Sequence, residues 1–274
     1  MIVKEIIELL YPPRCIGCKK ENIYPICSAC SDDIELVEEP LCLRCGSPEV
    51  SYRPPGTHGG ICRDCRRQPP IFTNAHSGFL YRGVMKKFIH HVKYHRKQEV
   101  ARFFGAQLLL VTQAWLRQLP RLHAVIPVPT TQVTKRYRGF NQSEILARVV
   151  ADHLNIQCEV NVLERLHRAF PQHQLTREER FKYIQGVYGV KLESAAATTQ
   201  KYDRLLLVDD IYTTGATISA CTAALRAAGH GREGIYVLTL CRVWNQTPAS
   251  MYNAPRERTC KSLSAVMEPM LPQP

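Results

Sequence analysis

Residues 205–217 read LLLVDDIYTTGAT. Leu205, Leu206, Leu207 and Val208 form an uninterrupted apolar run of the kind found in strands buried on both faces. The run ends in two adjacent carboxylates, Asp209 and Asp210, followed by Thr213, Thr214, Gly215, Ala216 and Thr217, small residues placed where a helix is expected to begin. A strand that enters a helix through such a turn aims several unpaired backbone N–H groups at one point. The positive end of the helix dipole adds to their attraction for an anion. The acids do the opposite, repelling phosphate while accepting hydrogen bonds from sugar hydroxyls, so a pentose 5-phosphate satisfies both halves. The plainer alternative is an Asp-rich turn with a Thr-rich helix cap, but two carboxylates at a buried strand end are costly unless a ligand, metal or solvent meets them.

The same segment resembles the 5-phosphoribosyl 1-diphosphate (PRPP) loop of type I phosphoribosyltransferases. The resemblance implies that Asp209 and Asp210 hold the ribose 2- and 3-hydroxyls, and that residues 213–217 wrap the 5-phosphate.

Working outward, strands alternate with helices from about residue 80 to 243. Residues 79–81, 124–129, 160–163, 183–190 and 235–241 read as strands, and 83–94, 97–118, 141–154 and the segment closing at Gly229 read as helices. This order predicts an α/β fold with a parallel, doubly wound sheet. Ligands on such sheets lie beyond the carboxyl ends of the strands. Three further segments fit a diphosphate there. The turn PVPTT at 127–131 includes Pro129. KRYRGFNQSE at 135–144 carries Arg136 and Arg138, with Asn141 and Glu144 spaced as a capping box. RAFPQHQLTREERFKY at 168–183 is polar and basic and reads as a mobile loop.

Ahead of this domain stand four C-x-x-C pairs: Cys15/Cys18, Cys27/Cys30, Cys42/Cys45 and Cys62/Cys65. Two such pairs complete a tetrahedral thiolate shell, and the polar segment around them lacks apolar periodicity, so structural zinc, one or two ions, is the expected source of its stability. A disulfide framework is the competing reading, with a redox pair behind it. Sequential pairing is expected, with interleaving as the alternative. Cys158, Cys221, Cys241 and Cys260 read as small apolar residues or bystanders.

The 274 residues and 45% hydrophobic content exclude disorder across the whole chain. The formal charge is +12; eight thiolates subtract eight and two divalent ions add four, leaving about +8. That surplus favours anionic partners. MIVKEIIELLYPPRC is not a secretory signal, and no run reaches the roughly 18 apolar residues of a membrane span, so a cytoplasmic protein without membrane insertion is expected. The expected organisation is a zinc-ribbon-like unit over 1–70, a phosphoribosyltransferase-like unit over 71–244 and a flexible, Pro-rich tail over 245–274.

LYPPRC with its four knuckles, IPVP, R-x-RGFNQ, PQ-x-x-L-x-x-x-x-R and LLLVDDIYTTGAT occur in that order over residues 11 to about 243. In this the chain resembles the ComF family, which joins a zinc-ribbon-like front to a type I phosphoribosyltransferase domain and is linked to natural competence. Phe170 stands where the family usually has Thr. The resemblance implies PRPP with Mg²⁺ as ligand, a role in DNA uptake, and single-stranded DNA, a competence helicase or DNA-processing proteins as partners. In phosphoribosyl transfer, positive charge grows on the sugar as pyrophosphate leaves. Catalysis would then rest on Mg²⁺, on Arg136, Arg138 and the 127–131 loop at the diphosphate, and on positioning by Asp209 and Asp210. No acceptor base is legible.

A nucleic-acid accessory role is the second reading. Lys86, Lys87, His90, His91, Lys93, Tyr94, His95, Arg96 and Lys97 form a basic stretch with Phe88 and Tyr94 as stacking groups, whose interaction with a single strand would centre on Lys86, Lys93, Tyr94 and Arg96. A solvated helix face is its plain alternative, and a PRPP-sensing regulator is a third reading.

Overall fold

The computed structural model describes residues 12–22, 25–53, 59–95, 98–166, 186–191 and 202–244. Strands β1 (Asn74–Leu80), β2 (Ala124–Pro127), β3 (Gln157–Cys158), β6 (Arg204–Tyr212) and β7 (Gly234–Arg242) form one sheet in the order β1-β7-β6-β2-β3, with every neighbouring pair parallel. From β2 the chain steps outward to β3, and from β6 it steps the other way to β7. The order therefore reverses between β2 and β6, which is where a parallel sheet opens a crevice at its carboxyl edge.

Along β6, successive side chains enter opposite cores. Leu206 and Val208 join Phe88, Phe104, Leu108 and Leu146 from helices α3 (Gly83–His95), α4 (Gln98–Gln118) and α6 (Gln142–Leu154). Leu205 and Leu207 join Ile218, Cys221 and Leu225 from α7 (Ala216–Ala227). An apolar run without alternation is what burial on both faces requires.

Two expectations are corrected. The strand does not stop at Val208: it continues through both acids to Tyr212, because β7 keeps pairing with it, Asp209 opposite Thr239 and Tyr212 opposite Arg242. The strands expected at 160–163 and 183–190 do not extend the main sheet. β4 (Leu163–Arg165) and β5 (Tyr188–Val190) instead form a separate antiparallel pair against α7. Each is three residues long, and the pair packs on α7 rather than on a sheet edge. Residues 168–183 and the tail at 245–274 lie outside the described residues.

The cysteine-rich segment, with short helices α1 (Ser28–Asp32) and α2 (Arg63–Arg67), lies along the outer edge of β1. The Ala75 amide donates to the Arg44 carbonyl at 2.8 Å, the Leu80 amide to Glu35 at 2.8 Å, and the Val37 amide to Gly78 at 3.0 Å. An open strand edge is a template for unwanted pairing, and these bonds close it.

Candidate functional site

At the carboxyl end of β6, Asp209 is buried and Asp210 partly exposed. Asp209 Oδ1 accepts from the Ser143 hydroxyl at 2.8 Å and from the Asp210 amide at 2.9 Å. Burial, then the neighbouring Asp210 charge, push the Asp209 carboxyl up to about 7, against the opposing pull of those two hydrogen bonds and of Lys93. Asp210 Oδ2 lies 3.3 Å from Lys93 Nζ. Asp210 and Gln142 also face a small pocket whose apolar wall includes Phe88, Val92, Leu146 and Leu240. Gln142 Oε1 accepts from Arg138 at 3.2 Å, while its buried Nε2 has no partner among the described residues.

Gly215 caps α7 in the left-handed region at φ 79°. A side chain there would overlap the Tyr212 hydroxyl and stand 2.8 Å from its Cζ, so glycine lets the turn close over the ring. The Ala216 amide bonds to Thr214 Oγ1 at 3.3 Å, and the Ser219 amide to the Gly215 carbonyl at 2.8 Å. The amides of Thr213, Thr214, Gly215 and Thr217 find no partner among the described residues. Four donors thus remain open beside the acids, in a turn whose Thr213 is exposed.

Across the crevice, the loop after β2 carries Pro129, half-buried, and is tied to β6 by the Val128 amide on the Val208 carbonyl at 2.9 Å. Helix α5 (Gln132–Arg138) begins at Thr131, whose hydroxyl accepts from the Thr134 amide at 3.0 Å, and ends at Gly139. It holds Arg136 exposed and Arg138 half-buried. The capping box expected at Asn141 is absent: its side chain caps nothing and instead donates to the Val128 carbonyl at 2.9 Å. Glu144 is engaged by Arg148 at 3.0 Å and Lys135 at 3.3 Å. Asn141 therefore fastens the β2 loop to α6, a use of this residue that short-range spacing does not reveal.

The basic stretch divides on α3. Lys86 is exposed, and Tyr94 is 54% exposed with its ring 4.4 Å from that of His90. Lys87 donates to the Gly17 carbonyl at 2.9 Å. Lys93 faces Asp210, and Arg96 lies outside the described residues. Lys93 and Ser143 are the contacts to the acid pair that sequence reasoning missed, since neither contact can be seen before α3 and α6 are laid against β6.

The cysteines gather sequentially, Cys15, Cys18, Cys27 and Cys30 in one cluster and Cys42, Cys45, Cys62 and Cys65 in the other, each with its sulfurs within 4.8 Å of one another. Cys18 and Cys27 sulfurs are 3.7 Å apart and those of Cys45 and Cys62 are 3.6 Å apart. Four sulfurs on a tetrahedron about 2.3 Å from zinc stand roughly 3.8 Å from each other, so both clusters fit that ion. The interleaved alternative is thereby set aside. The second cluster is wholly buried. Arg242, at the end of β7, donates to the Cys45 carbonyl at 2.6 Å and approaches Cys45 Sγ at 3.5 Å.

A family model of the double zinc ribbon domain matches residues 6–66. The DNA utilization protein YhgH of Escherichia coli (strain K12) is 27% identical over 242 residues, covering 85% of this chain and 99% of that protein. Competence protein F of Haemophilus influenzae is 27% identical over 222 residues, 79% of this chain and 92% of that protein. Competence protein ComFC of Bacillus subtilis is 25% identical over 211 residues, 74% and 79% respectively. Among solved structures, a glutamine PRPP amidotransferase from B. subtilis complexed with ADP and GMP aligns at TM-score 0.34 and 16% identity over 54% of this chain and 30% of that one, too slight a likeness to build on. No helix among the described residues is long and apolar enough to cross a membrane. Alignments of 211 to 242 residues must run through both the ribbon and the sheet, so the likeness to the competence and DNA utilization proteins extends over most of this chain.

Proposed function

We propose that the crevice between β2 and β6 binds PRPP, or a closely related ribose phosphate, together with Mg²⁺, and that the protein serves DNA uptake and use, as the names of its relatives indicate for them. The observation that carries the reading is the pairing, on one strand end, of two adjacent carboxylates, one buried and one partly exposed, with a turn of unpaired amides. Ribose hydroxyls meet Asp209 and Asp210, and the 5-phosphate meets the amides of 213–217. Lys93, Arg136 and Arg138 supply positive charge toward the diphosphate, and the 127–131 loop with Pro129 supplies its second wall. Asp209 and Asp210 are hard oxygen donors suited to Mg²⁺, an ion commonly held by one or two carboxylates and substrate phosphates. Its chemistry there would be to neutralise charge on the departing pyrophosphate.

Calorimetric titration with PRPP in the presence and absence of Mg²⁺ tests this. Mg²⁺-dependent binding that disappears in the Asp209→Asn/Asp210→Asn double variant is expected, and an unchanged isotherm in that variant refutes it. Release of pyrophosphate with candidate bases then separates a transferase from a PRPP-sensing regulator.

The exposed Lys86 and the His90–Tyr94 ring pair favour a second reading, contact with single-stranded DNA along α3. It predicts salt-sensitive binding that survives loss of the acids and weakens when Lys86 and Tyr94 are replaced.

A further inference from the structure

Arg242 is 6% exposed, and among the described residues no carboxylate lies within ion-pairing distance of it. A buried guanidinium without a counter-charge is strongly unfavourable. What it touches is the second cysteine cluster, through the Cys45 carbonyl and sulfur. Four thiolates around a divalent ion carry a net charge of −2, which supplies the missing partner. The other side of Arg242 lies over the Tyr212 ring at 4.3 Å, and the two residues are direct cross-strand partners on β7 and β6. Phe72 meets the same ring edge-on at 6.4 Å. The tip of that ring fills the space beneath Gly215, in the middle of the turn of open amides. Burial, joined by the Arg242 charge, pushes the adjacent His76 down to about 4, so His76, stacked on Trp115, brings no second cation to this corner.

We propose that Arg242 is a positioning residue: it takes the Cys42/Cys45/Cys62/Cys65 zinc centre as counter-ion and props Tyr212 beneath Gly215, so that metal in the second ribbon sets the shape of the 213–217 turn. Among the described residues the first cluster makes no contact of this kind with β6 or β7; it packs on β1 and α3 through Cys15, Cys30, Phe79 and Val84. The consequence for ligand affinity rests on reading that turn as the phosphate site; the link between metal and turn does not.

The experiment uses the full chain loaded with zinc, in wild-type, Arg242→Met, Arg242→Lys and Cys18→Ser forms. Zinc content and release to a chromophoric chelator are measured. Hydrogen exchange is followed by mass spectrometry in peptides holding the Ser219 and Val243 amides, which bond to the Gly215 and Tyr212 carbonyls. Arg242→Met is expected to release one of its two ions about 10- to 100-fold faster than wild type and to exchange those amides faster by a similar factor. Arg242→Lys should recover part of both effects. Cys18→Ser should weaken the other ion without loosening the turn. Wild type stripped by chelator should show the loosened turn without any change at Arg242, so the outcome is read even if Arg242→Met fails to fold. Wild-type zinc release in Arg242→Met, faster release with an unchanged turn, or equal loosening in Cys18→Ser would each overturn the proposal. If wild type binds no PRPP while these results hold, the ligand reading fails and the metal-to-turn link stands.

Discussion

Replacing Gly215 by alanine asks whether the turn is built on Tyr212. Two costs follow from the structure. An L-residue held at φ 79° loses about 1–2 kcal/mol relative to a right-handed conformation, a penalty glycine escapes. The added methyl also overlaps the hydroxyl end of Tyr212, whose ring is buried between Arg242 and Phe72 and has little room to retreat. Overpacking of a filled site costs a further ~1–3 kcal/mol. Gly139 provides the control: its φ is 83°, and a methyl there meets nothing within 4 Å. Gly139→Ala should therefore lose only the conformational part, about 1–2 kcal/mol, and Gly215→Ala about 2–5 kcal/mol. Urea unfolding at saturating zinc, compared at equal m, gives both values. The difference between the two variants isolates the contact with Tyr212. If they agree within about 0.5 kcal/mol, Tyr212 does not pack beneath the turn and the reasoning from it fails.

Titration of Asp209 gives a pH test. With its carboxyl at about 7 when folded and about 3.9 when unfolded, the folded chain keeps a proton that the unfolded chain loses, so this group's stabilising contribution is complete below pH 4 and is lost as pH rises through 7. Asp209→Asn should be more stable than wild type above pH 7 by on the order of a few kcal/mol, the gap closing toward pH 4; parallel stability curves for the two proteins would contradict the burial argument. Lys93→Met should lower PRPP affinity about tenfold and leave single-strand binding unchanged, with Lys86→Ala doing the reverse, as fluorescence anisotropy with labelled oligonucleotide and calorimetry with PRPP can read out. Chelation of both ions should uncover the edge of β1 and produce light scattering that rises with protein concentration, while metal-loaded protein stays clear.

The strand that decides the fold was legible because its burial on two faces leaves a run with no alternation, and the acids stood out because nothing apolar could excuse them. Its end was not legible: Asp209 and Asp210 read as a stop, yet a parallel ladder continues while its neighbour does, and β7 runs on to Arg242. Helix α5 escaped notice for a different reason. It buries none of its seven residues, so no apolar period marks it, and it is defined only by Thr131 at one end and Gly139 at the other. Lys93 shows the limit of composition most clearly. Within a twelve-residue stretch, 86–97, rich in lysine and histidine, nothing local distinguishes the lysine that meets Asp210 from Lys86, which meets solvent. That distinction is made by the path of α3 past the end of β6.

Pro69 and Pro70 mark a change of composition, and a boundary there remains our proposal for how the chain is organised. A seam in composition is not a seam in the core. Cys15, Ile16, Ile26, Cys30 and Ile34 belong to the apolar cluster of Phe79, Val84 and Phe88. The second knuckle pair belongs to that of Phe72, Ala75 and Tyr212 on the other face. The ribbons thus divide between the two faces of the sheet while their backbone seals β1 between them. Too polar to fold on an interior of its own, the front segment gains one from zinc and from the sheet, and the sheet gains a closed edge. The exchange also brings the buried second cluster to the carboxyl ends of β6 and β7, beside the turn. That the second cluster meets Arg242 and, through it, Tyr212 follows from where the open edge had to be covered.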